Sequence, residues 1–225
     1  MVLKTAHSFD QHLSGRLKAA RPDHRDVVWF GVREGFPLSG GSAFQVRSFL
    51  PPQLSHTVLL RNGLSLVGTR RGSLTRVQTD RLAELFATDA VGCDKCWFGV
   101  WIGYGWLHQT ATQSLHAGSR WRNLRDWVRG QRRFNAVHSS IPVRGRDYIF
   151  ARGPLRDVSA IDTHVASHFQ SPNLWWPDSR KWAVVTDIDL EHTIVGCDES
   201  VATLLTADPL LEARLVPGDT PVRSL

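Results

Sequence analysis

The chain has 225 residues and a mass of 25.3 kDa, with 42% hydrophobic residues, 21% charged residues and a formal net charge of +6. This length and apolar content allow one sizeable core and exclude wholesale disorder. The longest apolar runs fall far short of the roughly 18 residues that cross a bilayer, and the first residues lack a signal-peptide core, so we expect a cytoplasmic protein with no membrane partner.

The first ninety residues predict helices and strands in alternation. Ser8 is expected to cap a helix through residue 20, because Phe9, Leu13 and Leu17 recur with helical spacing. Residues 27–33 and 43–50 predict two strands.

Residues 56–60 and 64–69 predict a hairpin around Asn62-Gly63. The next helix is expected to begin at Thr79 or Asp80 and to bury a face made of Leu82, Leu85 and Phe86.

The rest of the chain also predicts a mixture of strands and helices. Strands are expected at 96–102, 147–152 and 182–189, and helices at 120–133, around 158–165 and after a cap at Asp198. Because strands and helices interleave irregularly, the sequence favours an α+β fold, with a mixed or antiparallel sheet and several packed helices in one domain spanning 1–225.

Two short segments resemble each other. Residues 29–36 and 97–104 share Trp, Phe, Gly, Val and Gly at five of eight positions, and Asp26 and Asp94 each precede the tryptophan by three residues. This pattern predicts a duplicated strand unit led by tryptophan, with halves 1–90 and 91–225. A chance likeness between two buried strands is the alternative.

Charge is divided unevenly along the chain. Residues 1–156 contain 23 basic and 10 acidic side chains, whereas 157–225 contain 4 and 11, which gives +13 and −7. A basic helix is expected near 118–135, with one arginine face formed by Arg122, Arg125, Arg129, Arg132 and Arg133. These arginines could bind nucleic acid phosphates, an acidic protein partner or the acidic part of this same chain.

Three carboxylates alternate at the end of the strand predicted at 182–189. Asp187, Asp189 and Glu191 would share one face there, an arrangement that suits a divalent metal in a hydrolase or nuclease-like enzyme. A solvated strand end is the simpler interpretation.

Cysteines and histidines offer further metal ligands. Cys93 and Cys96 form a CxxC, and with Cys197 and a histidine they would make a Cys₃His zinc site. His164 and His168 are spaced as a helical pair. Buried structural cysteines explain the same residues, so no cofactor is expected.

The chain contains nine tryptophans and only two tyrosines. Trp175 and Trp176 are adjacent in an extended segment, where neighbouring side chains point in opposite directions, so one indole is expected at the surface as a binding residue.

Three segments carry a family resemblance: residues 96–105 (CWFGVWIGYG), 146–155 and 172–189, which contains LWWPDSRKW. They resemble a family of uncharacterised actinobacterial proteins with CWFxxWxGYG-like and LWWPxxRxW-like motifs. The resemblance covers about the last 130 residues and implies that the basic helix near 118–135 is an insertion. It implies no catalytic residue, because the family has no established activity.

The sequence as a whole favours a binding module over an enzyme. The expected contact surface is the arginine face together with Trp175 and Trp176, and the expected partner is a protein, with nucleic acid as an alternative. The metal-dependent hydrolase centred on Asp187, Asp189 and Glu191 and a toxin-immunity type of protein remain open as alternatives.

Overall fold

A computed structural model describes residues 9–30, 45–65, 68–69, 71–88, 95–108, 141–143, 146–161, 163 and 169–222. In this part of the chain the strands are β1 Lys18–Ala19, β2 His56–Arg61, β3 Leu64–Ser65, β4 Gly68–Thr69, β5 Cys96–Trp101, β6 Ile141–Val143, β7 Arg146–Gly153, β8 Leu174–Pro177, β9 Ala183–Val185, β10 His192–Cys197 and β11 Ala213–Val216. Its α-helices are α1 His24–Trp29, α2 Arg76–Thr88 and α3 Glu199–Ala207. Short 3-10 helices cover Phe9–His12, Val46–Phe49, Gly105–His108 and Leu155–Ala160.

Nine of these strands form one antiparallel sheet. Their order is β1-β7-β5-β8-β9-β10-β2-β11, and β6 pairs with β7 on the same side as β1. The remaining strands, β3 and β4, form a separate hairpin. The predicted α+β class is confirmed, and the sheet is of the antiparallel kind.

The sheet is covered on both faces, so there are two cores. On one face, Leu82 and Phe86 of α2 and Val201 and Leu205 of α3 pack against alternate residues of the central strands. On the other face, Trp29, Phe30, Val46, Phe49 and Leu50 cover the intervening residues of those strands. A strand in the middle of this sheet therefore buries every side chain, whichever way it points.

Side-chain hydrogen bonds cap the N-termini of α2 and α3. Asp198 caps α3 as predicted: its Oδ1 accepts a hydrogen bond from the backbone N–H of Val201 at 2.9 Å, and that bond lowers the pKa of the carboxyl. For α2 the predicted start was wrong. Thr75 caps it, with Thr75 Oγ1 accepting from the N–H of Gln78 and Gln78 Oε1 accepting from the N–H of Thr75, both at 3.1 Å.

The segment around Trp29 is helical, and the strand predicted at 27–33 is wrong. Asp23 accepts a hydrogen bond from the N–H of Asp26 and so caps α1, which ends at Trp29. The side-chain cap at Asp23 favoured a helix over a strand here. The Trp29 copy therefore does not repeat the Trp97 strand, and its residues 31–36 lie outside the described part of the chain.

Five other expectations differ from the structure. Residues 9–12 and 46–49 form 3-10 helices in place of the predicted helix and strand, and the segment before residue 161 is also 3-10. β2 pairs with β10 and β11, so no hairpin forms around Asn62-Gly63. The expected strand 182–189 ends as β9 at Val185.

In the described segments no helix is both long enough and apolar enough to traverse a lipid bilayer.

Candidate functional site

The predicted arginine face lies outside the described residues, as do Cys93, His164 and His168. The face consists of Arg122, Arg125, Arg129, Arg132 and Arg133. Its binding role stays a prediction from sequence.

Trp175 and Trp176 are both buried, so the expectation of an exposed indole is wrong. Trp175 packs against Phe86 and Trp182, with ring centroids 6.1 and 6.0 Å away, on one face of the sheet. Trp176 contacts Phe30 at 4.7 Å on the other face. The two side chains do point in opposite directions, but β8 lies between β5 and β9 in a sheet that is covered on both sides.

Asp187, Asp189 and Glu191 lie in and after a turn and do not alternate along a strand. Asp187 is buried and accepts hydrogen bonds from Arg146 Nε at 3.3 Å and Nη2 at 3.2 Å, while Asp189 accepts from the same Nη2 at 2.5 Å. Glu191 pairs with Arg71 at 3.3 Å. The three carboxylates neutralise arginines, and within the described ranges no three His, Cys, Asp or Glu side chains are grouped to hold a metal.

Cys96 and Cys197 are too far apart to share one zinc ion. They belong to β5 and β10, which are separated by β8 and β9, a displacement of about 14 Å for three strand spacings. Both are fully buried, and burial raises the pKa of the Cys197 thiol to about 12, so that thiol stays protonated.

The two charge halves of the chain are joined by ion pairs. Four arginines from residues 1–156 pair with carboxylates from residues 157–225: Arg71 with Glu191, Arg81 with Asp208, Arg146 with Asp187 and Asp189, and Arg152 with Asp178. Arg180 makes the reverse pairing with Asp26 at 2.8 Å. Internal neutralisation, one of the alternatives open from sequence, thus involves five of the eleven acidic side chains of residues 157–225.

A buried polar cluster closes one end of the sheet. The Tyr104 hydroxyl donates to the carbonyl oxygen of Gly72 at 3.0 Å and accepts from Gln170 Nε2 and Asn173 Nδ2, both at 2.9 Å. Asn173 Nδ2 also donates to the Thr186 carbonyl oxygen at 2.9 Å. These neutral groups satisfy one another, so we interpret the cluster as a clamp that fixes the loop at Gly72 to the ends of β8 and β9.

Replacing Gly72 by alanine is expected to lower the free energy of unfolding by at least about 2 kcal/mol. Gly72 has a φ of +67°, and an added Cβ would lie 2.7 Å from the Ile188 Cα. Gly105→Ala is the matched control, because a Cβ there meets nothing within 4 Å. Urea denaturation of both variants measures the difference in unfolding free energy. Equal stability of the two variants would contradict the prediction, because it would show that the Gly72 loop accommodates the added Cβ without loss of stability.

Four exposed basic residues stand close together in the sequence, at β1 and in the segment that leads from it into α1. Arg16, Lys18, Arg21 and Arg25 fall within ten residues, all four are exposed, and among the described residues none forms an ion pair with a carboxylate. Lys18 stands opposite Arg152 of β7. We call these four residues the β1 surface. Sequence reasoning missed it, although four cations in ten residues were a visible signal.

The fold and this surface define an α+β protein with an exposed basic segment at and after β1. Comparison with protein-family models, with curated proteins and with solved structures finds no match to the chain.

Proposed function

We propose that this protein is a binding module whose β1 surface takes an acidic segment of a protein partner. The observation that supports it best is the set of four exposed cations within residues 16–25, Arg16, Lys18, Arg21 and Arg25, that lack ion pairs within the described structure. Elsewhere five arginines are neutralised by carboxylates of the chain itself. Charges that are exposed and unpaired are available to attract an oppositely charged partner.

The arginine-rich segment around 118–135 is consistent with this location. It precedes β6, and β6 pairs with β7 on the same side as β1. The arginine face predicted from sequence, Arg122 to Arg133, ends eight positions before β6 in the sequence, and we propose that it adds to the same contact surface.

Interleaved carboxylates favour a protein partner over nucleic acid. Asp23 lies between Arg21 and Arg25, and the Asp157 carboxylate accepts a hydrogen bond from the Arg16 backbone N–H at 2.8 Å. A continuous row of phosphates would be repelled at these points, whereas the separate carboxylates of a peptide can meet arginines one at a time. Described tryptophans such as Trp97, Trp175, Trp176 and Trp182 are packed in the cores, so their indoles do not stack on bases.

The test is binding of a fluorescein-labelled poly-glutamate peptide, followed by anisotropy at about 50 mM salt, where surface charges are weakly screened. The double variant Lys18→Glu with Arg21→Glu is expected to weaken binding at least about tenfold. The matched control is Arg61→Glu with Arg214→Glu, the same change of charge at exposed positions of β2 and β11, near the opposite edge of the sheet. We expect less than about a twofold effect from it.

Three results would contradict the proposal. They are absence of peptide binding at low salt, equal weakening in the two double variants, and tighter binding of a DNA duplex than of the peptide. The last result would assign the surface to nucleic acid.

A further inference from the structure

A second site with exposed arginines lies beside the start of α2, and it borders the β1 surface where Asp157 accepts a hydrogen bond from the Arg16 N–H. It is a pocket of about 490 Å³ between α2, the 3-10 helix Leu155–Ala160 and the chain before β1. Its polar lining includes Ser14, Arg76, Asp80, Arg156, Asp157 and Thr163. We call it the Arg76 pocket. Its volume lies within the range of small-molecule sites, roughly 300–1,000 Å³.

The Arg76 guanidinium is held in place by neutral groups. Its Nη1 donates to the Ser159 carbonyl oxygen at 3.0 Å, and its Cζ lies 4.5 Å from the centroid of the Phe169 ring. A guanidinium has five N–H donors, so this anchoring leaves donors for another acceptor. An arginine stacked on an aromatic ring and fixed by a carbonyl is oriented before a ligand arrives.

Neither arginine of the pocket forms an ion pair with a carboxylate within the described residues, although two carboxylates line the same space. Asp80 instead accepts a hydrogen bond from the Ser159 hydroxyl, and Asp157 Oδ2 accepts one from the Arg16 N–H at 2.8 Å. Arg156 is exposed. The pocket therefore combines two guanidinium groups available to an anion with two carboxylates that are each already bound through one oxygen.

We propose that the Arg76 pocket binds the phosphate monoester of a small polyhydroxylated molecule. Arg76 and Arg156 hold the phosphate, since guanidinium groups match its oxygens in geometry and charge. The remaining oxygens of Asp80 and Asp157, Oδ2 and Oδ1, accept hydrogen bonds from hydroxyl groups of the ligand. The same carboxylates repel a second phosphate, which selects against polyphosphates and nucleic acid.

Glucose 6-phosphate is the probe, titrated into the full chain by calorimetry, with glucose and inorganic phosphate as comparison ligands. We expect glucose 6-phosphate to bind more tightly than either. Arg76→Gln and Arg156→Gln are each expected to weaken it at least about tenfold, while Arg61→Gln has no effect. Arg156 is exposed, so its variant keeps the fold if Arg76→Gln does not.

Binding should persist in the Lys18→Glu, Arg21→Glu variant, because that variant alters only the β1 surface. The proposal is overturned if glucose 6-phosphate gives no binding, if Arg61→Gln weakens it as much as Arg156→Gln does, or if inorganic phosphate binds equally well. Failure of peptide binding at the β1 surface has no bearing on these outcomes.

Discussion

Replacing Trp176 by alanine is expected to lower the free energy of unfolding by about 3–5 kcal/mol, and Trp175→Ala by a similar amount. Trp176 is almost completely buried and contacts Phe30, Phe150, Trp29 and Trp97 through its ring. Its removal leaves a cavity at the centre of one core, where rigid aromatic neighbours from α1 and its C-cap, β5 and β7 cannot collapse far. Urea denaturation followed by far-ultraviolet circular dichroism measures the loss without depending on tryptophan fluorescence.

Two further variants make this prediction specific. Val77→Ala is the control, because Val77 is 64% exposed on α2, and it should change the stability by less than about 0.5 kcal/mol. Trp176→Phe should cost less than Trp176→Ala, because it keeps most of the ring and removes an indole N–H that has no hydrogen-bond partner among the described residues. A loss of unfolding free energy below about 1 kcal/mol for both alanine variants would show that neither indole contributes substantially to core packing.

Arg146→Met is expected to cost about 3–5 kcal/mol, because it leaves the buried Asp187 carboxylate without its positive partner. Arg146 is itself largely buried. Burial acts to lower its pKa, but Asp187 and Asp189 outweigh that effect and raise it. The guanidinium therefore stays charged. Its removal destabilises the protein because it leaves the buried Asp187 carboxylate uncompensated. Chemical denaturation near neutral pH is the measurement.

The matched control for Arg146→Met is Asp189→Asn. Asp189 contacts the same guanidinium, but its side chain is 75% exposed, so solvent replaces the contact and the loss should stay below about 1 kcal/mol. Adding Asp187→Asn to Arg146→Met should recover part of the stability, since it removes the uncompensated charge. The prediction is contradicted if Asp187→Asn restores no stability to the Arg146→Met variant and if Arg146→Met and Asp189→Asn lose equal stability. Burial of the Asp187 charge would then contribute little to the free energy of unfolding.

Local signals in the sequence predicted several elements well. The strands β2, β5 and β7 lie in apolar runs bounded by turn residues, and α3 follows its Asp198 cap. The helix α1 was missed because a six-residue helix has too little periodicity to outweigh the apolar run after it. Its cap at Asp23 was present in the sequence, as was the Thr75–Gln78 capping box of α2.

The candidate sites depended more strongly on tertiary contacts. Nothing in the spacing of Asp187, Asp189 and Glu191 indicates that arginines 41 and 120 residues away neutralise Asp187 and Glu191. Arg76 and Arg156 are likewise 80 positions apart in the sequence, and only the packing of α2 on the 3-10 helix after β7 brings them to one pocket. Contacts of this range depend on the folding of the whole chain, and local patterns do not encode them.

The sequence by itself determined the α+β class, the division into a basic and an acidic part, and the opposite directions of the Trp175 and Trp176 side chains. The tertiary structure decided that both indoles are buried, because helices cover both faces of the sheet at β8. It also decided which charges neutralise each other, since long-range strand order sets which side chains meet. Alternation along a strand is a local property, whereas burial and ion pairing depend on what the rest of the chain places opposite.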